Sequence, residues 1–378
     1  MRLKTKQLGL AGLAVGLAAG GVFIWLRNKR TAKKPADLPG QSRIERALDR
    51  TLLRARRQAT IPLGPLHRYV IFSDHHKGAG DEADDFAKCA DTYLKALSEY
   101  EQQGFTLIIL GDSEELWENP IVEVMQTYPE IFAAEQRFYP DRYIRVIGNH
   151  DNAWEIESNI HRYLEVYFPG IRIYPALVFQ YQNGSAASGE IFLAHGHQGT
   201  LDADVFEFMP PLVLPYYRIF QNLTGLGHTS PSQDDCLRGQ HDTIMYRWAS
   251  KQPRLLLIAG HTHRPVWSSR THLEKLLGQL NSLQALAPGQ RPTDYEPQTV
   301  QLKAEIEKRV EKDPPCNDTI KTQPCYFNTG CCRFEDGDIT GIELEDGELR
   351  LVKWGDQQGE IQRAELEKAP LSKIFANL

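Results

Sequence analysis

The sequence predicts a layered α/β protein, and three observations predict it. Short runs rich in valine, isoleucine and leucine recur along the chain: RYVIF (68–72), FTLIIL (105–110), YIRVI (143–147), EIFLA (190–194) and RLLLIA (254–259). Near-continuous apolar runs of this length suit strands covered on both faces. Helical segments separate several of them, as in 84–103, where Phe86, Cys89, Ala90, Tyr93, Leu94 and Leu97 repeat along one face. Lastly, every run stops in a cluster of acids, histidines or asparagine. In parallel sheets the carboxyl ends of the strands open on one crevice, so such clusters converge.

The 378 residues suffice for one large domain or two small ones, and 41% hydrophobic with 24% charged content is that of a globular protein. A net charge of −6 argues against a nucleic-acid partner. The basic residues gather at the amino end. Arg2, Lys4 and Lys6 precede an uncharged stretch at 8–26, and Arg27, Lys29, Arg30, Lys33 and Lys34 follow it. At 1.5 Å per residue this stretch spans about 28 Å, close to a bilayer's hydrocarbon thickness, and Trp25 sits where an indole prefers the headgroups. It reads as a single-pass anchor, with the heavier basic flank placing the body on the cytoplasmic face. Gly12, Gly16 and Gly20 share one helical face, which either reflects mere tolerance of glycine or lets two anchors pair as a homodimer. The rival reading is a cleaved signal peptide, which would leave VFIWL at the new amino terminus.

The expected organisation is an anchor with basic flanks at 1–34, then a linker and basic helix at 35–66. In that helix Ile44, Leu48, Leu52 and Ala55 share a face, which either meets an anionic leaflet or packs on the body. A domain at 67–360 and a tail at 361–378 follow. Asp336-Gly337 and Asp346-Gly347 mark hairpin turns between antiparallel strands late in the domain. Insertions interrupt it at about 205–250 and 268–324. The first holds a proline-broken aromatic stretch, 205–227, read as a groove for lipid through Phe206, Phe208, Tyr216 and Tyr217, or else as ordinary core. The second pairs a leucine stripe at Leu273, Leu276, Leu277 and Leu280 with a charged helix from about residue 301. Cys316, Cys325, Cys331 and Cys332 contain no CxxC pair, which argues against a structural zinc site.

The strand ends supply Asp74 and His76; Asp112 and Glu115; Asn149, His150 and Asp151; His195 and His197; and His261 and His263. Oxygen and nitrogen donors without thiolates suit catalytic Mn²⁺, Fe or Zn²⁺. A carboxylate such as Asp112 can bridge two cations, which lower the pKa of a shared water and clamp the oxygens of an ester.

The ordered series D-x-H, G-D-x-x-E, G-N-H-D, H and G-H-x-H resembles the calcineurin-like metallophosphoesterase superfamily over roughly residues 67 to 355. The resemblance implies a four-layer fold of two mixed β-sheets flanked by helices, to which the apolar stretch adds an amino-terminal transmembrane helix, and two divalent metal ions per chain, for which the donors put Mn²⁺ foremost. It implies that Asp74, His76 and His263 hold one ion, that Asn149, His195 and His261 hold the other, and that Asp112 bridges them. His150 would serve the leaving group, with Glu115 orienting it. His75 and His197 match no ligand and are expected at the surface or supporting the ligands; Asp151 is expected to support the Asn149 loop. The implied activity is hydrolysis of a phosphomonoester, phosphodiester or pyrophosphate by a metal-bound hydroxide, on a substrate that is lipid-linked in one version. GDSEELW and GHTHRP are similar to the branch containing bacterial UDP-2,3-diacylglucosamine pyrophosphohydrolases, from which this chain departs in having His150 where that branch has arginine. The alternatives are a non-catalytic scaffold at a membrane and a protein phosphatase, whose GDxxDRG and GNHE forms are absent.

Overall fold

The computed structural model describes residues 38–378 except 39, 65–66, 83, 184–186, 201–234 and 311–320. The expected anchor at 8–26 and the aromatic groove at 205–227 lie outside the described residues. Among the described residues no helix is long and apolar enough to cross a membrane.

In chain order the elements are helix α1 (Gln41–Gln58), strands β1 (Thr60–Leu63) and β2 (Tyr69–Phe72), α2 (Ala90–Gln102), β3 (Thr106–Leu110), α3 (Ile121–Thr127), α4 (Pro129–Gln136), β4 (Tyr143–Val146), β5 (Ile173–Tyr174), β6 (Leu177–Asn183) and β7 (Ala187–Leu193). Then come α5 (Asp235–Ala249), β8 (Leu255–Ala259), α6 (His272–Gln284), α7 (Tyr295–Val310), β9 (Tyr326–Asn328), β10 (Ile339–Glu345), β11 (Glu348–Gln357), β12 (Glu360–Pro370) and α8 (Leu371–Phe375). They build two mixed sheets, one ordered β12-β11-β10-β2-β3-β4-β5 and the other β1-β6-β7-β8-β9.

The five apolar runs are therefore divided, three in the larger sheet and two in the smaller. Within each sheet the runs are parallel neighbours: β2 with β3, β3 with β4, and β7 with β8. The sheets pack face to face. Ile71, Ile108, Leu110 and Val146 from one meet Leu177, Ile191, Leu193, Leu256 and Ile258 from the other in a single buried cluster. The alternate residues point outward, as a strand's period of two requires. Val70, Phe72, Leu107 and Ile109 pack with Tyr93, Leu97 and Ile131 of α2 and α4. Val178, Phe192, Leu255 and Leu257 pack with α1 and α5. Helices thus cover both outer faces, and this explains why the runs are almost continuously apolar.

Three boundaries differ from the sequence expectation. Of the region expected as linker and basic helix, 35–66, the residues Gln41–Leu63 belong to the fold, and the helix packs on the body. Ile44, Leu48, Leu52 and Ala55 are buried against the smaller sheet, and β1 pairs in parallel with β6 from Thr60↔Val178 to Leu63↔Tyr181. Asp49 Oδ1 accepts a 2.8 Å hydrogen bond from Trp248 Nε1, which fixes α1 to α5. The apolar face of α1 is thus spent on the body and is closed to a leaflet. Nor is 361–378 a tail. β12 pairs antiparallel with β11, and α8 buries Leu371, Ile374 and Phe375 between the sheets. β12 is a mostly polar edge strand, so it carries little hydrophobic signal. The charged helix α7 begins at Tyr295 rather than near 301, while Leu273, Leu276 and Leu280 of α6 are buried.

Leu48 is fully buried, so Leu48→Ala should cost about 2–5 kcal/mol of stability, read by chemical denaturation. Arg50→Ala on the exposed face should stay within about 0.5 kcal/mol. Equal effects would detach α1 from the body.

Candidate metal centre

Chain turns directly after five strands carry the polar clusters to one place. The turns after β2 and β3 are joined by backbone bonds: Asp74 N to Gly111 O at 3.1 Å, His76 N to Asp112 O at 3.0 Å, and Lys77 N to Ser113 O at 3.0 Å. The turns after β7 and β8 are joined by Gly260 N to His195 O at 2.9 Å. Between the two pairs, His261 N donates to Asp74 Oδ1 and Oδ2 at 3.1 and 3.0 Å, and His150 N to Asp112 Oδ1 at 2.8 Å.

Such tight approach needs unusual backbone. Asp74, His76, Asp112, His261 and His263 all have left-handed φ, between 51° and 68°, a conformation that costs a side-chain-bearing residue roughly 1–2 kcal/mol. Glycine is required where loops touch. A Cβ on Gly148 would lie 2.1 Å from Asp112 Oδ1, and one on Gly260 would lie 2.4 Å from Asp74 Oδ2.

The side chains form three overlapping groups of potential ligands: Asp74 with His76 and His263; His76 with Asp112 and His150; and Asp112 with His195 and His261. Asp112 takes part in two of them. Its Oδ2 lies 3.6 Å from His76 Nε2 and 2.9 Å from His195 Nε2. Asp74 Oδ1 lies 3.1 Å from His263 Nε2, which is itself 3.1 Å from His76 Nε2. Asn149 stands in the same turn as His150 and is buried.

The donor chemistry fits cations. Both amide atoms of Asn149, His195 Nε2 and His261 Nε2 are buried without a hydrogen-bond partner, although buried polar groups nearly always have one. His195 Nε2 does sit close to Asp112 Oδ2, yet lacks hydrogen-bond geometry there. His195 Nδ1 is bonded to Leu110 O at 2.9 Å, which leaves Nε2 as the atom aimed inward. Burial lowers His261 well below the usual histidine range and His263 to about 4, so these rings offer neutral lone pairs. Burial also pulls on His76 and His195, but the neighbouring carboxylates outweigh it and raise them to about 10 and about 9. A cation entering there displaces protons.

Glu115 joins two roles. Its Oε2 lies 2.7 Å from His76 Nδ1 and its Oε1 2.8 Å from His150 Nδ1. His150 also stacks on Trp117, with ring centroids 4.0 Å apart. Asp151 supports the turn beside it, accepting from Gly148 N at 2.7 Å and Ser113 N at 2.9 Å. A crevice of about 260 Å³ opens on His76, His150 and His263. A separate hollow of about 180 Å³, near Leu63, Tyr181 and Leu371, touches none of these residues.

The two remaining histidines behave differently from each other. His75 neither supports the ligands nor faces solvent: its ring is fully buried among Phe72, Phe86 and Tyr93, on the opposite side of the strand end from His76. Burial holds it well below its ordinary pKa, hence neutral. His197 is half-buried beside His195, with centroids 5.4 Å apart.

Sequence reasoning passed over the supports. His241 of α5 bonds Gly196 O through Nε2 at 2.8 Å, and its ring lies 5.2 Å from that of His261. Asp242 accepts from Thr262 Oγ1 at 3.1 Å, Arg264 Nη2 at 2.6 Å and Tyr326 OH at 2.7 Å, gripping the turn that bears His261 and His263. Beneath the other turns, buried Glu114 binds Arg145 at 2.5 Å and Lys77 at 3.2 Å. The one signal for these groups is charge inside otherwise apolar or helical stretches, as with Arg145 in YIRVI.

Residues 67–265, more than half of the chain, match the family model described as calcineurin-like phosphoesterase. No curated protein matches the chain in sequence. Among solved structures it is similar to Vacuolar Protein Sorting 29 from Cryptosporidium parvum, at 12% identity over 80% of this chain and 98% of that one, with a TM-score of 0.31. It is also similar to a dimetal phosphatase from Danio rerio, at 12% identity over 80% and 100% of the two chains, with a TM-score of 0.36.

Gly148→Ala should lower stability by about 1–3 kcal/mol through overpacking against Asp112. Gly278→Ala, within α6 and facing open space, should instead raise it by about 0.5–1 kcal/mol. Thermal unfolding of both variants checks this, and a neutral Gly148→Ala would contradict the close approach.

Proposed function

The chain belongs to the calcineurin-like phosphoesterases, and from that premise we propose a dinuclear, membrane-tethered hydrolase of phosphoric esters. The observation that carries the reading is Asp112, which stands in one group of potential ligands with His76 and in another with His195 and His261, whose Nε2 atoms, like the amide of Asn149, are buried and unpaired. In this reading Asp74, His76 and His263 hold one cation, Asn149, His195 and His261 hold the other, and Asp112 reaches both. When bound, such a pair lowers the pKa of a shared water and neutralises phosphoryl charge. Oxygen and imidazole donors favour Mn²⁺, with Fe or Zn²⁺ as rivals.

His150 acts on the leaving group. Glu115 engages its Nδ1 and Trp117 supports its ring face, so Nε2 is the atom left to deliver a proton. Burial raises Glu115, but the two histidines outweigh it and hold the carboxylate well below its usual range.

The membrane part rests on charge. Opposite its buried face, α1 exposes Arg46, Arg50, Arg54 and Arg57 beside Leu53, which is 51% exposed. Following the apolar stretch at 8–26, this arginine face suits the anionic cytoplasmic leaflet. A lipid-linked phosphoester is then the natural substrate.

Three outcomes are expected. Asp112→Asn should nearly abolish turnover and lower metal content, both measured on purified protein; full activity would sink the dinuclear reading. His150→Ala should lose about 10²–10⁴-fold on alkyl phosphoesters and much less on nitrophenyl esters, with metal content unchanged. An equal loss on both, with loss of metal, would make His150 a ligand. A chain beginning at Leu38 should be soluble and active on water-soluble esters, and should bind phosphatidylserine vesicles more weakly with Arg46, Arg50, Arg54 and Arg57 replaced by Ser. Undiminished vesicle binding would remove the arginine face from the account.

A further inference from the structure

The family match stops at residue 265, yet the chain returns to the site afterwards. The turn after β9 is registered on the strand ends that carry the ligands. Thr329 N donates to Ala259 O at 2.9 Å, Thr329 Oγ1 lies 2.6 Å from Ser73 Oγ, and Cys332 N donates to Asp74 O at 3.2 Å. The next residue, Arg333, reaches the wall of the crevice that opens on His76, His150 and His263. Its guanidinium is about 28% exposed and is bonded through Nη2 to Asp85 Oδ2 on the same wall.

Besides its three histidines the crevice carries five carboxylates. Asp81, Asp84, Asp85, Glu115 and Glu118 line it, and Arg333 is the sole lysine or arginine among the described residues that do. A phosphoester entering beside these carboxylates is repelled unless a cation faces it. A guanidinium presents five N–H donors in a flat fork that matches phosphoryl oxygens two at a time. Asp85 occupies one side of that fork, and in doing so orients the rest.

The geometry points to Arg333 as the residue that binds the substrate's phosphoryl oxygens in the crevice, with Asp85 as the positioning residue that aims it. This rests on the phosphoesterase reading of the same site. It places substrate recognition partly in the carboxy-terminal third of the chain, outside the matched family segment.

The test uses the full, manganese-loaded chain and inorganic phosphate as the probe, with binding followed by calorimetry and metal content by mass spectrometry. Arg333→Ala should weaken phosphate binding about 10- to 100-fold, raise KM for nitrophenyl phosphate by a similar factor, and leave metal content unchanged. Arg333→Lys should recover part of the affinity, since the charge remains while the fork is lost. Asp85→Asn should fall between wild type and Arg333→Ala. Unchanged phosphate affinity in Arg333→Ala would overturn the assignment. So would equal loss of metal or of thermal stability in the Ala and Lys variants, which would mark a structural role. A chain that hydrolyses no ester but binds phosphate through Arg333 would retain this site and lose only the hydrolase reading.

Discussion

Everything around the site depends on one constraint: carboxylates, imidazoles and an amide are buried where five strands end, and buried polar groups must find partners. Asp74, Asp112 and His195 are essentially inaccessible, and His76, Asn149 and His261 nearly so. Water cannot satisfy them. Their partners must come from one another, from backbone amides or from cations, and the two-sheet architecture supplies the convergence. Parallel runs in each sheet stop at the same level, and the shared interior of Ile71, Leu110, Leu193 and Ile258 sets the sheets face to face.

The convergence has an energetic cost, visible in the backbone. Five residues of the site adopt left-handed φ, which the fold tolerates only when the surroundings over-determine it. Here they do. The paired turns hydrogen-bond to each other, Asp151 clamps two amides, and Asp242 holds Thr262 and Arg264 of the turn after β8 to Tyr326 of β9. Below them Glu114, Arg145, Lys77 and Glu135 form a dry ion network. Such a network adds little net stability compared with apolar packing, but losing one member strands a buried charge. Its role here is to hold the turns rigid.

Much of this was legible in the sequence because recurrence outweighs any single motif. Five apolar runs with five polar endings marked the strands and the candidate ligands that the fold brings together. What was hidden has physical reasons. His75 is adjacent to His76 in sequence but points to the other face of the strand end, into the aromatic core. The helical face at Ile44, Leu48, Leu52 and Ala55 is plain in the sequence, but the arginines around it suit a leaflet as well as a packed body, and the short strand β1 that follows carries no mark of its own. β12 is polar because an edge strand faces water. His241, Asp242 and Arg333 reach the site across long sequence separations, where no local period marks them.

The most direct measurement is anomalous diffraction from crystals of the manganese-loaded chain, paired with metal content in solution. Two ions per chain are expected, about 3.5–4 Å apart, with Asp112 between them and Asn149 on the side of His195 and His261. A single ion, or two ions that do not share Asp112, would contradict the dinuclear centre.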